Sequence, residues 1–288
     1  MESISSEYIF HFIVKNFLEN INRKIRIINH WACSGGTIIS KCLAALPNIV
    51  FLSEVHPFAY LRLSNTNERD YLPTDIIQQL SLNRNKKDPS FCIAAFVGAI
   101  EELNKKICSS NKTLILRNHS HIDFFVGPVP RSNSLLTEIF SDRNKLLQVL
   151  TVRHPLDSWL SLQNQKWHNQ IQFNNFDEYC SRALIMINAM QNIPIIYYEE
   201  FCLKPKIIVK KIADLLEIEY SDQCQENAFL INLSGDSGRC GEIIKPRNRR
   251  DIPERYLNEF NNSNSYIQLC EKLRYDISFN SEFPYLLN

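Results

Sequence analysis

The chain has 288 residues, of which 44% are hydrophobic and 22% are charged, and its formal net charge is +1. This length is enough to bury a sizeable core, in one large α/β domain or two small ones. A net charge so close to zero excludes a global positive field that would attract nucleic acid or an anionic membrane. Any anion site must therefore be built locally, from a few basic groups and backbone amides.

The chain contains nine cysteines, with no C-x-x-C pair and no Cys/His run at the spacing of zinc ligands. Because the number is odd, a complete disulfide framework would leave one thiol over. We predict reduced cysteines in a cytoplasmic protein, most of them packed as small core hydrophobes.

The amino-terminal apolar run, 8–14, is short, contains His11 and follows two glutamates, which is not typical of a targeting signal. No stretch approaches the ~20 apolar residues that a membrane span needs. We therefore predict no transmembrane segment and no Golgi-type anchor.

The first fifty residues predict helix, strand, glycine turn, helix and strand, in that order, at 4–20, 24–29, 33–37, 38–46 and 49–52. The first helix is amphipathic, and both strands are short β-rich runs. From residue 24 onward this order is a βαβ unit with its glycine loop at the carboxyl end of the first strand.

Strands and helices also alternate in the rest of the chain. The β-rich runs are at 113–116, 146–152 and 193–198, and the helical patterns at 73–82, 90–107, 155–168, 174–191 and 205–216. This alternation predicts a mainly parallel sheet covered on both faces. No repeat or low-complexity linker interrupts it, so we predict one domain over 1–288. Its core covers about 24–250; the region after about 220 is less regular and ends in a helical tail, 251–288.

Glycine is rare in this chain and concentrated where it occurs. Five of the seven glycines stand in two short segments, at positions 35, 36, 235, 238 and 241. The first pair lies between a strand and a helix N-terminus, where backbone N–H groups and the helix dipole favour an anion. Ser34 and Thr37 add hydroxyl donors. Alone, the pair also fits an ordinary tight turn. The spacing and lysine of a Walker A sequence are missing, which argues against an ATPase or an ordinary kinase.

A second polar segment follows the strand at 146–152. Pro155 suits the first position of the next helix and Asp157 its first turn. Arg153 then stands at the carboxyl edge of the strand, with Ser161 two helical turns further on. A surface pair between Arg153 and Asp157 is the alternative interpretation.

Together the two segments resemble the nucleotide-binding motifs of the sulfotransferases that use 3'-phosphoadenosine 5'-phosphosulfate (PAPS). Residues 33–37 match the strand–loop–helix motif [RK]-S-G-[ST]-T, and the spacing of Arg153, Pro155, Asp157 and Ser161 matches R-x-P-x-[DE]-x-x-x-S. The resemblance implies that Arg153 and Ser161 bind the 3′-phosphate of PAPS. It implies that the 5′-phosphosulfate binds at Cys33, Ser34, Gly35, Gly36, Thr37 and Ile38.

Two later segments extend the resemblance. Residues 198–201 with Pro205 are similar to the family's Y-E-[DE]-L-x-x-x-P stretch, and 234–247 to its late basic loop, which closes over the nucleotide. The loop residues implied at the nucleotide are Arg239, Lys245 and Arg247. The spacing is most similar to that of protein-tyrosine and bacterial sulfotransferases. The family fold implied is a P-loop-type three-layer α/β sandwich with a mainly parallel central sheet.

The match departs from the family at Cys33, where the family has arginine or lysine. Cys33 removes a cation from the 5′-phosphosulfate clamp, and loss of such a transition-state donor typically lowers a rate by about 10²–10³. Lys41, Arg117 and Lys245 are candidate replacements.

The resemblance also implies a general base for sulfuryl transfer. Glu54, which ends the second strand, has the position of the glutamate base in protein-tyrosine and several bacterial sulfotransferases; a solvated loop carboxylate is the alternative. His119 is similar to the histidine base of cytosolic sulfotransferases, or belongs to a polar rim with His121 and Asp123. We predict Glu54 as the base, His119 as an orienting group or alternate base, and Arg117 as a balancing charge. We predict no metal, since this type of transfer needs none.

The predicted function is therefore transfer of a sulfuryl group from PAPS to a hydroxyl or amine. The alternatives are a P-loop small-molecule kinase, which would lack its Walker lysine, and a non-catalytic nucleotide-binding protein, suggested by Cys33. The acceptor cleft is expected under 56–130 and the carboxyl-terminal region. Because 60–110 contains no recognisable motif, a carbohydrate, a lipid-linked glycan, a metabolite and a peptide tyrosine all remain open as acceptors, as does the oligomeric state.

Overall fold

The computed structural model describes residues 24–58, 89–142, 145–165, 175–233 and 243–279. Three of the sequence predictions lie outside these ranges: the helices at 4–20 and 73–82, and the part of the late basic loop that contains Arg239. Among the described helices, none is long and apolar enough to cross a membrane.

Five parallel strands form one sheet in the order β2-β3-β1-β4-β5. They are β1 (Lys24–His30), β2 (Ile49–Val55), β3 (Thr113–Asn118), β4 (Lys145–Val152) and β5 (Ile195–Tyr197). The five β-rich runs of the sequence are thus confirmed as strands, and the parallel sheet is confirmed. Because β1 lies in the centre, its carboxyl end is flanked by those of β3 and β4.

Helices cover both faces of the sheet. The longer ones are α1 (Gly36–Ala44), α2 (Ser90–Ser109), α5 (Pro155–Asn164), α6 (Phe176–Ala189), α8 (Pro205–Leu215), α10 (Glu254–Asn261) and α11 (Asn264–Leu273). Shorter ones are α3 (His121–Phe124), α4 (Leu135–Ser141), α7 (Tyr198–Leu203) and α9 (Cys224–Ala228).

The alternation of side chains along the strands explains the layers. In β1, Ile25 and Ile27 pack on the side of α2 and α4, whereas Ile28 packs with α1 and α8. Successive strand residues point to opposite faces, so a strand that is apolar on both sides must be covered twice. On the β4 side, α5, α6 and α11 enclose a third cluster around Trp159. The three-layer α/β sandwich is therefore confirmed.

One boundary of the sheet differs from the sequence prediction. Tyr198 begins α7 instead of ending β5, since Glu199 and Glu200 in the first turn favour a helix N-terminus. In the region after about 220, predicted to be less regular, α9 is formed, and α10 and α11 lie within the predicted helical tail.

The sheet order places a switch point beside β1. The chain leaves β1 for α1 on one face, and it leaves the neighbouring β4 for α5 on the other. In open α/β sheets, ligands bind in the crevice outside the carboxyl ends of the strands at such a point. The residues after β1 and β4 are those that the sequence predicts to bind a nucleotide.

Candidate functional site

The turn after β1 is closed by its own polar groups. The Ser34 hydroxyl donates to the Trp31 carbonyl at 2.8 Å, and the Ser34 N–H donates to the same oxygen at 3.3 Å. Cys33 takes a left-handed backbone conformation, with φ 62°, and Gly35 follows with φ 84°. The Ser34 hydroxyl, which the sequence offers as an anion donor, is therefore used within the turn.

The turn leads into the N-terminus of α1. The N-cap is Gly35, which has no side chain to accept from the first N–H groups, and the first turn contains no acidic residue. The residues of that turn are Gly36, Thr37 and Ile38. A helix start of this kind attracts an anion through its unpaired N–H groups and the helix dipole.

Two aromatic rings explain why both turn positions are glycine. A Cβ added to Gly35 would lie 2.0 Å from the ring of Tyr198, and one added to Gly36 would lie 2.7 Å from the ring of His30. Gly35 also needs its positive φ, which costs an L-residue about 1–2 kcal/mol. The backbone of the turn is thus held between a side chain from β1 and one from α7.

Arg153 joins the turn from the end of β4. Its Nη1 donates to the Cys33 carbonyl at 3.2 Å, and its guanidinium lies 5.0 Å from the centroid of the Tyr198 ring. The structure therefore brings together Arg153 and the turn at 33–37, which are far apart in the chain. Asp157 has Arg249 as its arginine partner, with Nε–Oδ1 at 3.2 Å, so the Arg153–Asp157 surface pair is not formed.

The other predicted donor-site residues differ in their exposure. Ser161 is half-buried in α5, whereas Lys245 and Arg247 are exposed in a segment without regular secondary structure. Lys41, a candidate replacement for the missing cation, lies in the last turn of α1, away from its N-terminus.

A second cluster surrounds Arg117, at the end of β3. Its Nε donates to Nε2 of His30 at 3.3 Å, its Nη1 to the Ser53 hydroxyl at 3.0 Å, and its Nη2 to Oε1 of Glu54 at 2.5 Å. Burial lowers the pKa of Arg117, and Glu54 partly opposes this effect. One buried cation thus connects the ends of β1, β2 and β3.

Glu54 reaches this cluster from a strained backbone. Its φ is 59°, a conformation that non-glycine residues rarely adopt. Its second oxygen, Oε2, lies 3.6 Å from Nδ1 of His119, and a quarter of its side chain is exposed, at 25%. Glu54 is therefore fixed by Arg117 on one oxygen, and its side chain is partly exposed.

His119 is buried, and neither of its ring nitrogens has a hydrogen-bond partner within the described part of the chain. Its ring lies 3.7 Å from that of His121, centroid to centroid. Burial first, and then the neighbouring His121 and His30, hold the pKa of His119 well below its usual range. Burial first, and then Arg117 and His56, lower the pKa of His121 to about 3. Both imidazoles are therefore neutral near pH 7.

Several residues of the site were not assigned a role from the sequence. His30 ends β1, next to the glycine turn, and its position was a signal that could have been used. The buried hydrogen bond between His56 and Asp123, at 3.1 Å, fixes the segment after β2. Because the Phe58 N–H donates to Nδ1 of His56, that imidazole donates from Nε2. Among the described residues, no group of three or more His, Cys, Asp or Glu could hold a metal ion.

No family model and no curated protein matches the chain. Solved structures do match it. The sulfotransferase domain of a Synechococcus PCC 7002 olefin synthase has 16% identity and a TM-score of 0.48, covering 88% of this chain and 95% of its own. The domain from the curacin biosynthetic pathway has 14% identity and a TM-score of 0.47, covering 89% and 99%. A mouse sulfotransferase complexed with PAP has 12% identity and a TM-score of 0.41, covering 89% and 92%. All three of these solved structures are sulfotransferases.

A buried carboxyl group supports the Arg153 side of the site. Oε1 of Glu199 accepts from the His154 N–H at 2.9 Å, and Oε2 accepts from the Tyr275 hydroxyl at 2.7 Å. Burial raises the pKa of Glu199 to about 7, although these two hydrogen bonds oppose the rise. The position of His154, and so of Arg153 before it, depends on this group.

Replacing Gly35 by alanine should destabilise the fold by about 2–5 kcal/mol, because the methyl group meets the Tyr198 ring in a left-handed backbone. The control is Gly98→Ala in the middle of α2, where an added Cβ meets nothing within 4 Å. This control should raise stability by up to about 1 kcal/mol. Urea denaturation measures both, and equal effects would contradict the packing described here.

Replacing Glu199 by glutamine should change how stability depends on pH. The folded state binds the Glu199 proton more tightly than the unfolded chain, whose pKa is near 4.5. The resulting stabilisation is complete below pH 4.5 and is lost as the pH rises to about 7. Relative to Glu199→Gln, the wild type should therefore lose about 3 kcal/mol of unfolding free energy over this range. If the unfolding free energies of the two proteins changed equally with pH over this range, the raised pKa of Glu199 would be contradicted.

Proposed function

We propose that the chain is a sulfotransferase that moves a sulfuryl group from PAPS to a hydroxyl or amine acceptor. The observation that carries the proposal is the contact of Arg153 with the Cys33 carbonyl. It joins an arginine after β4 to a helix N-terminus after β1, at the edge that also contains Arg117 and Glu54. The turn that we propose to bind the anion lies at the same edge as a carboxylate and a second arginine, which supports the proposal.

The 5′-phosphosulfate binds at the start of α1 in this proposal. The N–H groups of Gly36, Thr37 and Ile38 and the Thr37 hydroxyl are its donors, and Ser34 shapes the turn. Gly36 lies against the ring of His30, which in turn accepts from Arg117. Arg117 is therefore the best-placed replacement for the cation that Cys33 lacks.

In this proposal the 3′-phosphate binds to Arg153 and Ser161, and the exposed Lys245 and Arg247 add positive charge from the late basic segment. Arg239, which lies outside the described residues, is assigned the same role from the sequence alone. Tyr198 supports the Arg153 guanidinium through a cation–π contact at 5.0 Å. A planar guanidinium supplies paired donors to a phosphate, which is the interaction expected here.

The reaction is an in-line displacement at sulfur. Glu54 takes the proton of the acceptor, the acceptor oxygen or nitrogen forms a bond to sulfur, and the bond from sulfur to the 5′-phosphate breaks. Adenosine 3′,5′-bisphosphate leaves, and the N–H groups of α1 and Arg117 balance its developing charge. Glu54 is favoured over His119 as the base because it is partly exposed, whereas burial makes the His119 imidazole a weak proton acceptor.

His119 orients the acceptor in this proposal. A neutral imidazole has one donor and one acceptor nitrogen, so it matches a hydroxyl group, which can do both. Its two ring nitrogens are buried and without partners among the described residues. The reaction needs no metal, and we propose a cytoplasmic location, consistent with the scattered cysteines of the sequence.

The donor assignment predicts selective nucleotide binding. Adenosine 3′,5′-bisphosphate should raise the melting temperature of the wild type, and ATP with Mg²⁺ should not. Arg153→Ala should weaken binding of the bisphosphate by about 10–100-fold, the value of a lost hydrogen bond between charged groups. The affinity for adenosine 5′-phosphate, which lacks the 3′-phosphate, should change little in Arg153→Ala. Calorimetry measures the affinities, and Lys112→Ala, an exposed cation before β3, is the control. Stabilisation by ATP-Mg²⁺ alone would favour a kinase.

The base assignment predicts a loss of turnover without a loss of donor affinity. Glu54→Gln should slow consumption of PAPS, in a mixed panel of alcohols, phenols, sugars and amines, by about 10²–10⁴-fold. Bisphosphate affinity should stay within about threefold, since Glu54 does not contact the nucleotide. His119→Asn is the comparison. If it abolishes turnover while Glu54→Gln does not, the base is His119.

A further inference from the structure

Two carboxylates lie close to Arg153, and each could form an ion pair with it. Burial lowers the pKa of Arg153, but the surrounding Tyr198, Asp157 and Glu199 raise it by more. An arginine beside a carboxylate forms a bidentate pair where the geometry allows, and a paired arginine is lost to a phosphate. Binding of an anion at Arg153 thus requires that both carboxylates have other partners.

The arginine that pairs with Asp157 is Arg249, 92 positions along the chain; Nδ1 of His154 also lies 3.5 Å from Oδ2 of Asp157. Nε of Arg249 lies 3.2 Å and 3.3 Å from the two carboxylate oxygens, and Nη2 lies 3.2 Å from Oδ2. The two side chains are only 4% and 3% exposed. The remaining carboxylate, Glu199, accepts from the His154 N–H and the Tyr275 hydroxyl.

Arg249 is held from its other side by the carboxyl-terminal segment 275–279. Its Nη1 donates to the Ser278 carbonyl at 2.6 Å. Nε2 of His154 lies 2.8 Å from the Asp276 carbonyl, so the same segment also fixes the residue after Arg153. The Arg249 guanidinium is thus oriented by a backbone carbonyl and directed at Asp157, in the first turn of α5.

We propose that Arg249 is a positioning residue for the donor: it occupies the Asp157 carboxylate and so keeps the Arg153 guanidinium for the 3′-phosphate. The proposal rests on the function proposed above. Arg249 acts in two ways, since it prevents an Arg153–Asp157 pair and neutralises a carboxylate that would repel the phosphate. Because it is buried, it acts through Arg153 and not by contact with the nucleotide.

Binding of adenosine 3′,5′-bisphosphate by calorimetry tests the proposal. Arg249→Met should weaken it by about 10–100-fold, because Arg153 then pairs with Asp157. Binding of adenosine 5′-phosphate should change less than about threefold. The double variant Arg249→Met/Asp157→Asn should restore bisphosphate affinity to within about threefold of the wild type, because the carboxylate at position 157 is gone and Glu199 keeps its two other partners. A role in folding alone predicts no such rescue.

Arg26→Met is the matched control. Arg26 is also a buried arginine, but it lies at the amino end of β1, where its Nε donates to the Leu216 carbonyl at 2.7 Å. The Arg26→Met variant should have a lower melting temperature. The ratio of its affinities for adenosine 3′,5′-bisphosphate and adenosine 5′-phosphate should equal that of the wild type. If Arg249→Met does not fold, Arg249→Lys and the double variant replace it. Both keep Asp157 from competing for Arg153, and both should bind the bisphosphate within about threefold of the wild type.

A crystal structure of ligand-free Arg249→Met separates this proposal from the function itself. Arg153 should lie within hydrogen-bond distance of the residue 157 carboxylate. Wild-type affinity in Arg249→Met, failure of the double variant to recover, or an Arg153 that keeps its contact with the Cys33 carbonyl would each overturn the proposal. A wild type that binds no bisphosphate would overturn the proposed function. The crystal structure would still show whether Arg153 pairs with Asp157 when Arg249 is absent.

Discussion

The parallel arrangement of the sheet is the constraint on which the site depends. With all five strands aligned, their carboxyl ends open onto one edge, and polar residues follow several of those ends. These groups are largely buried, so they must satisfy one another. Arg117 shows the result most clearly, since its three nitrogens contact residues from the ends of β1 and β2. The sheet determines which residues meet, and burial determines how they pair.

The pairing divides the edge into two halves that meet at the glycine turn. On one side are Arg117, Glu54 and His119; on the other are Arg153, Asp157 and Arg249. In each half a carboxylate is engaged by an arginine, at Glu54–Arg117 and Asp157–Arg249. The two pairs balance each other's charge, so Arg153 is the cation left over among these six residues. For the anionic donor of the proposed function, this local charge beside a helix N-terminus is sufficient and no global field is required.

The sequence predicts those features that have a local signal. Strands appear as β-rich runs and longer helices as periodic patterns. The glycine turn appears as two adjacent glycines in a chain that contains only seven. Short helices such as α3 and α7 have too few residues for a periodicity to show. Long-range pairs have no local signal at all: Arg117 contacts His30 across 87 positions, and Arg249 contacts Asp157 across 92. The predicted site residues are therefore located by motif, whereas their partners emerge only from the fold.

Cys33 connects the turn to the interior in an unusual manner. It packs against the apolar cluster around Trp159, in a left-handed backbone conformation that arginine or lysine would find no easier. The turn is thus attached to the core by apolar packing at the residue where the motif has a cation. Apolar packing is not screened by salt, unlike an exposed charge. Ionic strength should consequently act on the ligand's approach to this turn and leave the shape of the turn itself unaltered.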